Sequence, residues 1–227
     1  MRGLTLLAIL LPAMAFAKKT KPNVIVIYID DMGYADLSSY GGKMAQTPNM
    51  DRIGKEGIKF NQYYSAAPVS SASRVGVTTG QFPMRLGINT FLANKEMNKL
   101  CQQQDYLNPQ APSMARAFKN AGYATAHFGK WHMGGGRDVK DAPMFSEYGF
   151  DEYTSTHESP DADPKISPSW GIWSADDEIE RWDRTRYFVD KTLDFVSRHS
   201  DDTPFFINLW PDDVHTPWVP NQLTLTT

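Results

Sequence analysis

Three short apolar runs limit what this chain can become. They are Asn23-Val24-Ile25-Val26-Ile27-Tyr28, Tyr123-Ala124-Thr125-Ala126-His127-Phe128 and Pro204-Phe205-Phe206-Ile207-Asn208-Leu209-Trp210. Each is too short for a buried helix and rich in β-branched or aromatic residues, so each reads as a buried strand of a parallel sheet. Between them the pattern changes to that of helices. Thr47 caps a segment with Pro48 at its first position and Gly57 at its end. Pro112–Ala121 puts Met114, Ala117 and Phe118 on one face, and Arg184–His199 carries a buried stripe of Phe188, Val189, Leu193 and Val196. Ile58–Tyr64 alternates and reads as a further strand. Strand alternating with helix predicts an α/β fold around a mainly parallel sheet.

Ligands of parallel sheets bind at the carboxyl ends of the strands, and that is where the reactive side chains of this chain fall. The first run delivers Asp30-Asp31-Met32-Gly33. Adjacent carboxylates there are costly unless a cation pairs with them, and Ca²⁺ or Mg²⁺ suits carboxylate oxygens. The second run leads into Gly129-Lys130-Trp131-His132-Met133-Gly134, where alternation points Lys130 and His132 the same way. The last leads to His215-Thr216-Pro217. Between the first two, Ala67–Gly80 reads as a turn entering a helix, with Ser70 and Ser71 as caps, Arg74 one turn on from Ser70, and Gly80 as the stop. A hydroxyl at a helix start beside a planar cation can hold an anion, or act as a nucleophile with its oxyanion stabilised. Each feature alone also fits an ordinary explanation: a capped surface helix, a wet acidic turn, a solvated Lys–His turn, a hydrogen-bonded loop histidine. Four together at the ends of one sheet argue for a site.

The remaining segments narrow the setting. Arg2, the apolar run Leu4–Ala15 and Ala15-Phe16-Ala17 form a cleavable signal over residues 1–17, which implies a periplasmic or secreted protein with no stable membrane anchor. Residues 18–227 then form one domain. A net charge of −3 with no basic tract argues against a nucleic-acid partner. Cys101 stands alone in a polar context and reads as a bystander thiol. Residues 89–109 read as a long loop and 138–177 as irregular surface. Asp161, Asp163 and Asp176-Asp177-Glu178 read as a solvated acidic face rather than a metal loop.

These blocks resemble those of a type I sulfatase, of the alkaline phosphatase-like superfamily. The family signature of Cys or Ser, any residue, Pro or Ala, Ser, Arg, and later Thr-Gly is matched by Ser70-Ser71-Ala72-Ser73-Arg74 and Thr79-Gly80. Pro22–Val24 through Asp30–Tyr34, Thr47–Asp51, Gly129–Gly134 and His215–Pro217 resemble further family blocks, in family order. The departures are Ala72 in place of the commoner Pro and Thr78 where an apolar residue is usual.

The resemblance implies a three-layer sandwich and hydrolysis of sulfate esters of carbohydrate or aryl substrates. It implies that Ser70 is converted to formylglycine by a sulfatase-maturating enzyme, of the radical type that acts on serine in bacteria. Arg74 would hold the modified residue. Asp30, Asp31 and residue 70 would ligate Ca²⁺, with Mg²⁺ as the alternative, and Lys130, His132 and His215 would contact the sulfate or the reacting hydroxyls. Family members are considerably longer, and their later part supplies an Asp-Asn metal pair, a further sulfate-binding lysine and a C-terminal subdomain. The chain therefore resembles the N-terminal part of such a domain, with the C-terminal part missing. Two other readings stand beside this one: a phosphodiesterase or phosphonate hydrolase of the same superfamily, and an inactive truncated remnant.

Overall fold

The computed structural model describes residues 21–167, 177–199 and 203–221, so the signal segment 1–17 lies outside the described residues. In chain order the main elements are β1 (Val24–Ile27), α1 (Pro48–Glu56), α2 (Ser70–Thr79), α3 (Lys95–Leu100), α4 (Met114–Asn120), β2 (Ala124–Gly129), β3 (Glu152–Ser155), α5 (Arg184–His199) and β4 (Phe205–Trp210). The sheet runs β1-β4-β2-β3 with every pairing parallel. The last strand thus lies inside the sheet, with Val24 opposite Phe206 on one side and Ala124 opposite Phe205 on the other.

Alternation along β4 divides the core into two layers. Phe205, Ile207 and Leu209 pack with Ala126 and Phe128 against Phe188 and Phe195 of α5. Phe206 and Trp210 face the opposite way, into a cluster with Ala72 and Val75 of α2, Ala115 of α4 and Trp131. Phe118 stacks on Phe206 with ring centroids 4.5 Å apart. The result is helix, sheet, helix, as the alternation of elements predicts.

Several local expectations fail, each because a neighbour decides burial. β1 is an edge strand: Val24 and Val26 meet the α2/α4 core, whereas Ile25 and Ile27 are 43% and 47% exposed. Ile58–Tyr64 forms no strand, and Ile58, Phe60, Tyr63 and Tyr64 are exposed, since alternation without a partner edge yields no ladder. On α5, Leu193 is exposed and Phe195 takes the buried place, beside Phe188 and Thr192. The stretch read as loop contains α3, and the stretch read as irregular contains β3, whose four residues carry little pattern of their own.

His127 shows what the packing demands chemically. It is fully buried in β2, caged by Trp131, Phe145, Phe150 and Trp210, and its Nδ1 has no hydrogen-bond partner. Burial pulls its pKa down to about 3. The unfolded chain therefore binds a proton first, and folding stability should decline as the pH falls from about 6.5 toward 3. Thermal melts over that range should show a shallower decline for His127→Phe than for the wild type. Phe206→Ala, which empties the stacked contact with Phe118, should cost about 3–5 kcal/mol in chemical denaturation at neutral pH.

Candidate active site

The ladder of the sheet continues past its strands and sets the first two groups side by side. Tyr28 N donates to Leu209 O at 3.0 Å and Asp30 N to Pro211 O at 3.1 Å, while Lys130 N donates to Trp210 O at 2.9 Å from the other flank. Asp30 and Lys130 thus stand on either side of the end of β4, and Lys130 Nζ reaches Asp30 Oδ2 at 2.8 Å. Gly129 permits this approach: its φ is +124°, and a Cβ there would lie 2.1 Å from Trp210 O.

The helix start at residue 70 brings the third and fourth groups. Val69, in extended conformation, is the N-cap, so Ser70 is the first helical residue and neither serine caps as expected. Ser71 Oγ instead accepts from Leu92 N at 2.8 Å. Arg74, one turn on and fully buried, ties the cluster together. Its Nε donates to Ser70 Oγ at 2.9 Å, Nη1 to Lys130 O at 3.1 Å and Nη2 to Asp30 Oδ1 at 2.9 Å. The guanidinium lies 5.0 Å from the Trp210 ring centroid and 5.6 Å from that of Tyr28. Ser70 Oγ in turn donates to Asp30 Oδ1 at 3.2 Å. Burial opposes ionisation of Asp30, yet Arg74 and Lys130 hold its carboxyl down at about 2.

Asp31 and His215 form the outer part. Asp31 is exposed and left-handed, with φ +57°. His215 Nε2 lies 3.8 Å from Asp31 Oδ2. The His215 loop is held from below by Arg181, whose Nη2 donates to the carbonyls of Asp212 at 2.5 Å and His215 at 2.9 Å. Asp30, Asp31 and His215 each offer a ligand atom within 4.8 Å of one another. Two carboxylates and an imidazole form a donor set that fits a divalent cation, and no other such group occurs among the described residues. The acidic residues further along behave otherwise: Asp163 accepts from Tyr187 and Glu178 pairs with Lys165. Asp177 is buried against Arg184 rather than solvated, and Asp176 lies outside the described residues.

His132 and Lys130 reach the same side, as their alternation suggests, and meet a residue that the sequence did not single out. His132 Nδ1 is 3.0 Å and Lys130 Nζ 3.9 Å from Glu158 Oε2. His132 Nε2 is 3.0 Å from Leu92 O. Ser70, Lys130, His132 and His215 line one cavity of about 280 Å³ together with Arg137 and Glu158. The strand-end rule that found the other groups would have found Glu158 too, had β3 been visible in the sequence.

This chain belongs to the sulfatase family, whose sequence profile matches residues 22–227. It is 30% identical over 217 residues to the N-acetylgalactosamine-6-sulfatase of Homo sapiens, which covers 86% of this chain and 40% of that protein. It is 37% identical over 146 residues to the steryl-sulfatase of Mus musculus, covering 63% of this chain and 23% of that one. Among solved structures, that of Ps i-CgsB in complex with k-i-k-neocarrahexaose has a TM-score of 0.72 at 24% identity, covering 91% of this chain and 48% of its own. The fold is therefore that of the sulfatases, and the chain spans less than half the length of these relatives.

Asp30→Asn should leave the buried Arg74 without a counter-charge and Lys130 with only Glu158, 3.9 Å away, at a cost of about 3–5 kcal/mol in urea denaturation at neutral pH. Because the folded carboxyl is held at about 2 against an ordinary 3.8, its contribution is complete above about pH 4 and lost as the pH falls through 2. The gap between wild type and variant should narrow over that window.

Proposed function

We propose that this chain forms the catalytic front of a sulfuric ester hydrolase that cleaves sulfate esters of carbohydrate or aryl alcohols at residue 70. The observation that carries the reading is Ser70 Oγ, held between Arg74 Nε and Asp30 Oδ1 at the mouth of the cavity. A sulfatase-maturating enzyme would oxidise Ser70 to formylglycine, whose hydrate supplies an oxygen to attack sulfur and a second hydroxyl through which sulfate is later expelled. Arg74 orients that residue from one turn behind. Lys130 brings a fixed cation toward the non-bridging sulfate oxygens, His132 forms part of the cavity wall, and His215 stands at the open rim as a donor to the ester.

Asp30 and Asp31, with residue 70, would hold Ca²⁺, or Mg²⁺ in its place, which supplies Lewis-acid polarisation when bound. His215, expected only at the sulfate, also stands within reach of this carboxylate pair. The human relative is named for a sulfated sugar and the mouse relative for a sterol sulfate. The charged lining contributed by Arg137, His157 and Glu158 favours the hydroxyl-rich alcohol, so a sulfated carbohydrate is the preferred substrate. Residues 1–17 would direct export to the periplasm or medium. No helix among the described residues is long and apolar enough to cross a membrane.

Ser70→Ala in the protein as its gene encodes it should abolish hydrolysis of a chromogenic sulfate ester and of sulfated sugars. Its stability should stay within about 1 kcal/mol of wild type, since little packing is removed. Intact mass should show wild-type protein lighter by two hydrogen atoms after maturation. Turnover by the alanine variant at the wild-type rate would overturn the assignment. Calcium at a hundred times its dissociation constant should add about 2.7 kcal/mol to stability, and a chelator should remove it. Melting curves indifferent to both would count against the carboxylate pair as a metal site.

A further inference from the structure

His215 owes its place to the backbone beneath it. Its side chain is 25% exposed, with Nδ1 2.5 Å from the carbonyl of Thr216, the next residue along, and Nε2 3.8 Å from Asp31 Oδ2. Both partners are themselves exposed, so the position of the ring follows that of the turn Asp212–His215. Within that turn His215 N donates to Asp212 O at 3.1 Å. By itself, a single bond of this kind leaves a turn open to fraying.

The remaining support comes from Arg181, on a 3₁₀ turn (Arg181–Asp183) that runs directly into α5. Its buried guanidinium serves several groups of the turn at once. Nη2 donates to the carbonyls of Asp212 at 2.5 Å and of His215 at 2.9 Å, while Nη1 lies 3.0 Å from Asp212 Oδ2 and 3.5 Å from Asp213 Oδ1. A rigid planar fork suits such a contact, and a compact ammonium does not. The arginine is itself held in place. Arg184 Nη1 reaches the same oxygen of the buried Asp212 at 3.5 Å, and Arg184 Nη2 donates to Ile166 O at 2.6 Å and Asp177 Oδ2 at 3.1 Å. Asp213 Oδ2 accepts from Thr185 N, in the first turn of α5, at 3.0 Å. Phe188 and Phe195 lock α5 to the sheet. The turn is thus fastened to the start of a core helix, with Trp218 Nε1, which donates to Val214 O at 2.7 Å, as the tether on the exposed side.

We propose that Arg181 is a positioning residue for His215: it clamps the turn after β4 and so fixes the imidazole at the rim of the cavity. A buried arginine that served stability alone would need only its counter-charge. Here two of its contacts are main-chain carbonyls, one of them that of His215 itself. Asp212 and His215 line the cavity and Arg181 does not, so Arg181 acts through the turn. Its effect on turnover rests on the sulfatase reading, whereas the clamp does not.

Amide hydrogen exchange, read residue by residue in the protein as its gene encodes it, tests the clamp. In the wild type the His215 amide should exchange at least about a hundredfold more slowly than an unstructured peptide. Arg181→Lys, which keeps the charge and loses the fork, should speed that exchange about tenfold and leave the amides of β2 unchanged. An unprotected His215 amide in the wild type overturns the proposal, as does a rate unchanged in Arg181→Lys. Should Arg181→Lys fail to fold, Trp218→Phe decides: protection that survives it supports the arginine clamp, and protection lost with it overturns the proposal. In turnover of a chromogenic sulfate ester, Arg181→Lys should lower kcat about tenfold with KM within about twofold, the effect of a shift of about half an ångström. Added to His215→Ala it should cost nothing further, since a residue that acts through His215 has no effect once the ring is gone, and additive losses overturn the positioning role. A wild type that turns over no sulfate ester counts against the function proposed above, while the exchange still decides the clamp.

Discussion

One buried carboxylate, Asp30, governs the architecture of the site. A lone charge at 5% exposure would be prohibitively expensive, and the structure answers with two cations and a hydroxyl on its two oxygens. The partners arrive from two different elements: Ser70 and Arg74 from α2, and Lys130 from the end of β2. The elements must therefore dock together before any one of these groups is satisfied. What places them is backbone geometry, since Asp30 and Lys130 are hydrogen-bonded to adjacent residues at the end of β4. The charge cluster is a consequence of strand order and at the same time a penalty on any other order.

A second buried carboxylate, Glu158, repeats the device on the far side of Lys130. The lysine ammonium lies 2.8 Å from Asp30 and 3.9 Å from Glu158, so it is held between two anions. A cationic array held in this way needs little reorganisation to receive an anion. Asp31, His132 and Arg137, each lining the cavity, have left-handed backbones at φ +57°, +51° and +52°. Side-chain-bearing residues adopt that region at a cost, and here it falls in the segments that follow β1 and β2, where the chain lines the cavity.

Much of the fold could be read from local pattern. The three apolar runs became β1, β2 and β4, and Arg184–His199 became α5 with the expected ends. These features were legible because continuous apolar runs and helical periodicity are properties of a few consecutive residues. What failed depends on neighbours. Ile25 and Ile27 are exposed because β1 is at an edge, Ile58–Tyr64 finds no strand to pair with, and β3 is too short to announce itself.

The sequence by itself determined which chemistry was available: carboxylates, a serine with an arginine one turn on, and a lysine–histidine pair, most of them just past a strand. The tertiary structure decided which of these meet. It inserted β4 between β1 and β2, joined Asp30 to Lys130 across 100 positions of chain, and set Glu158 beside Lys130 and His132. The physical reason is that residue types and spacing are local, whereas the pairing of buried charges is set by strand order and by hydrogen bonds that connect distant segments.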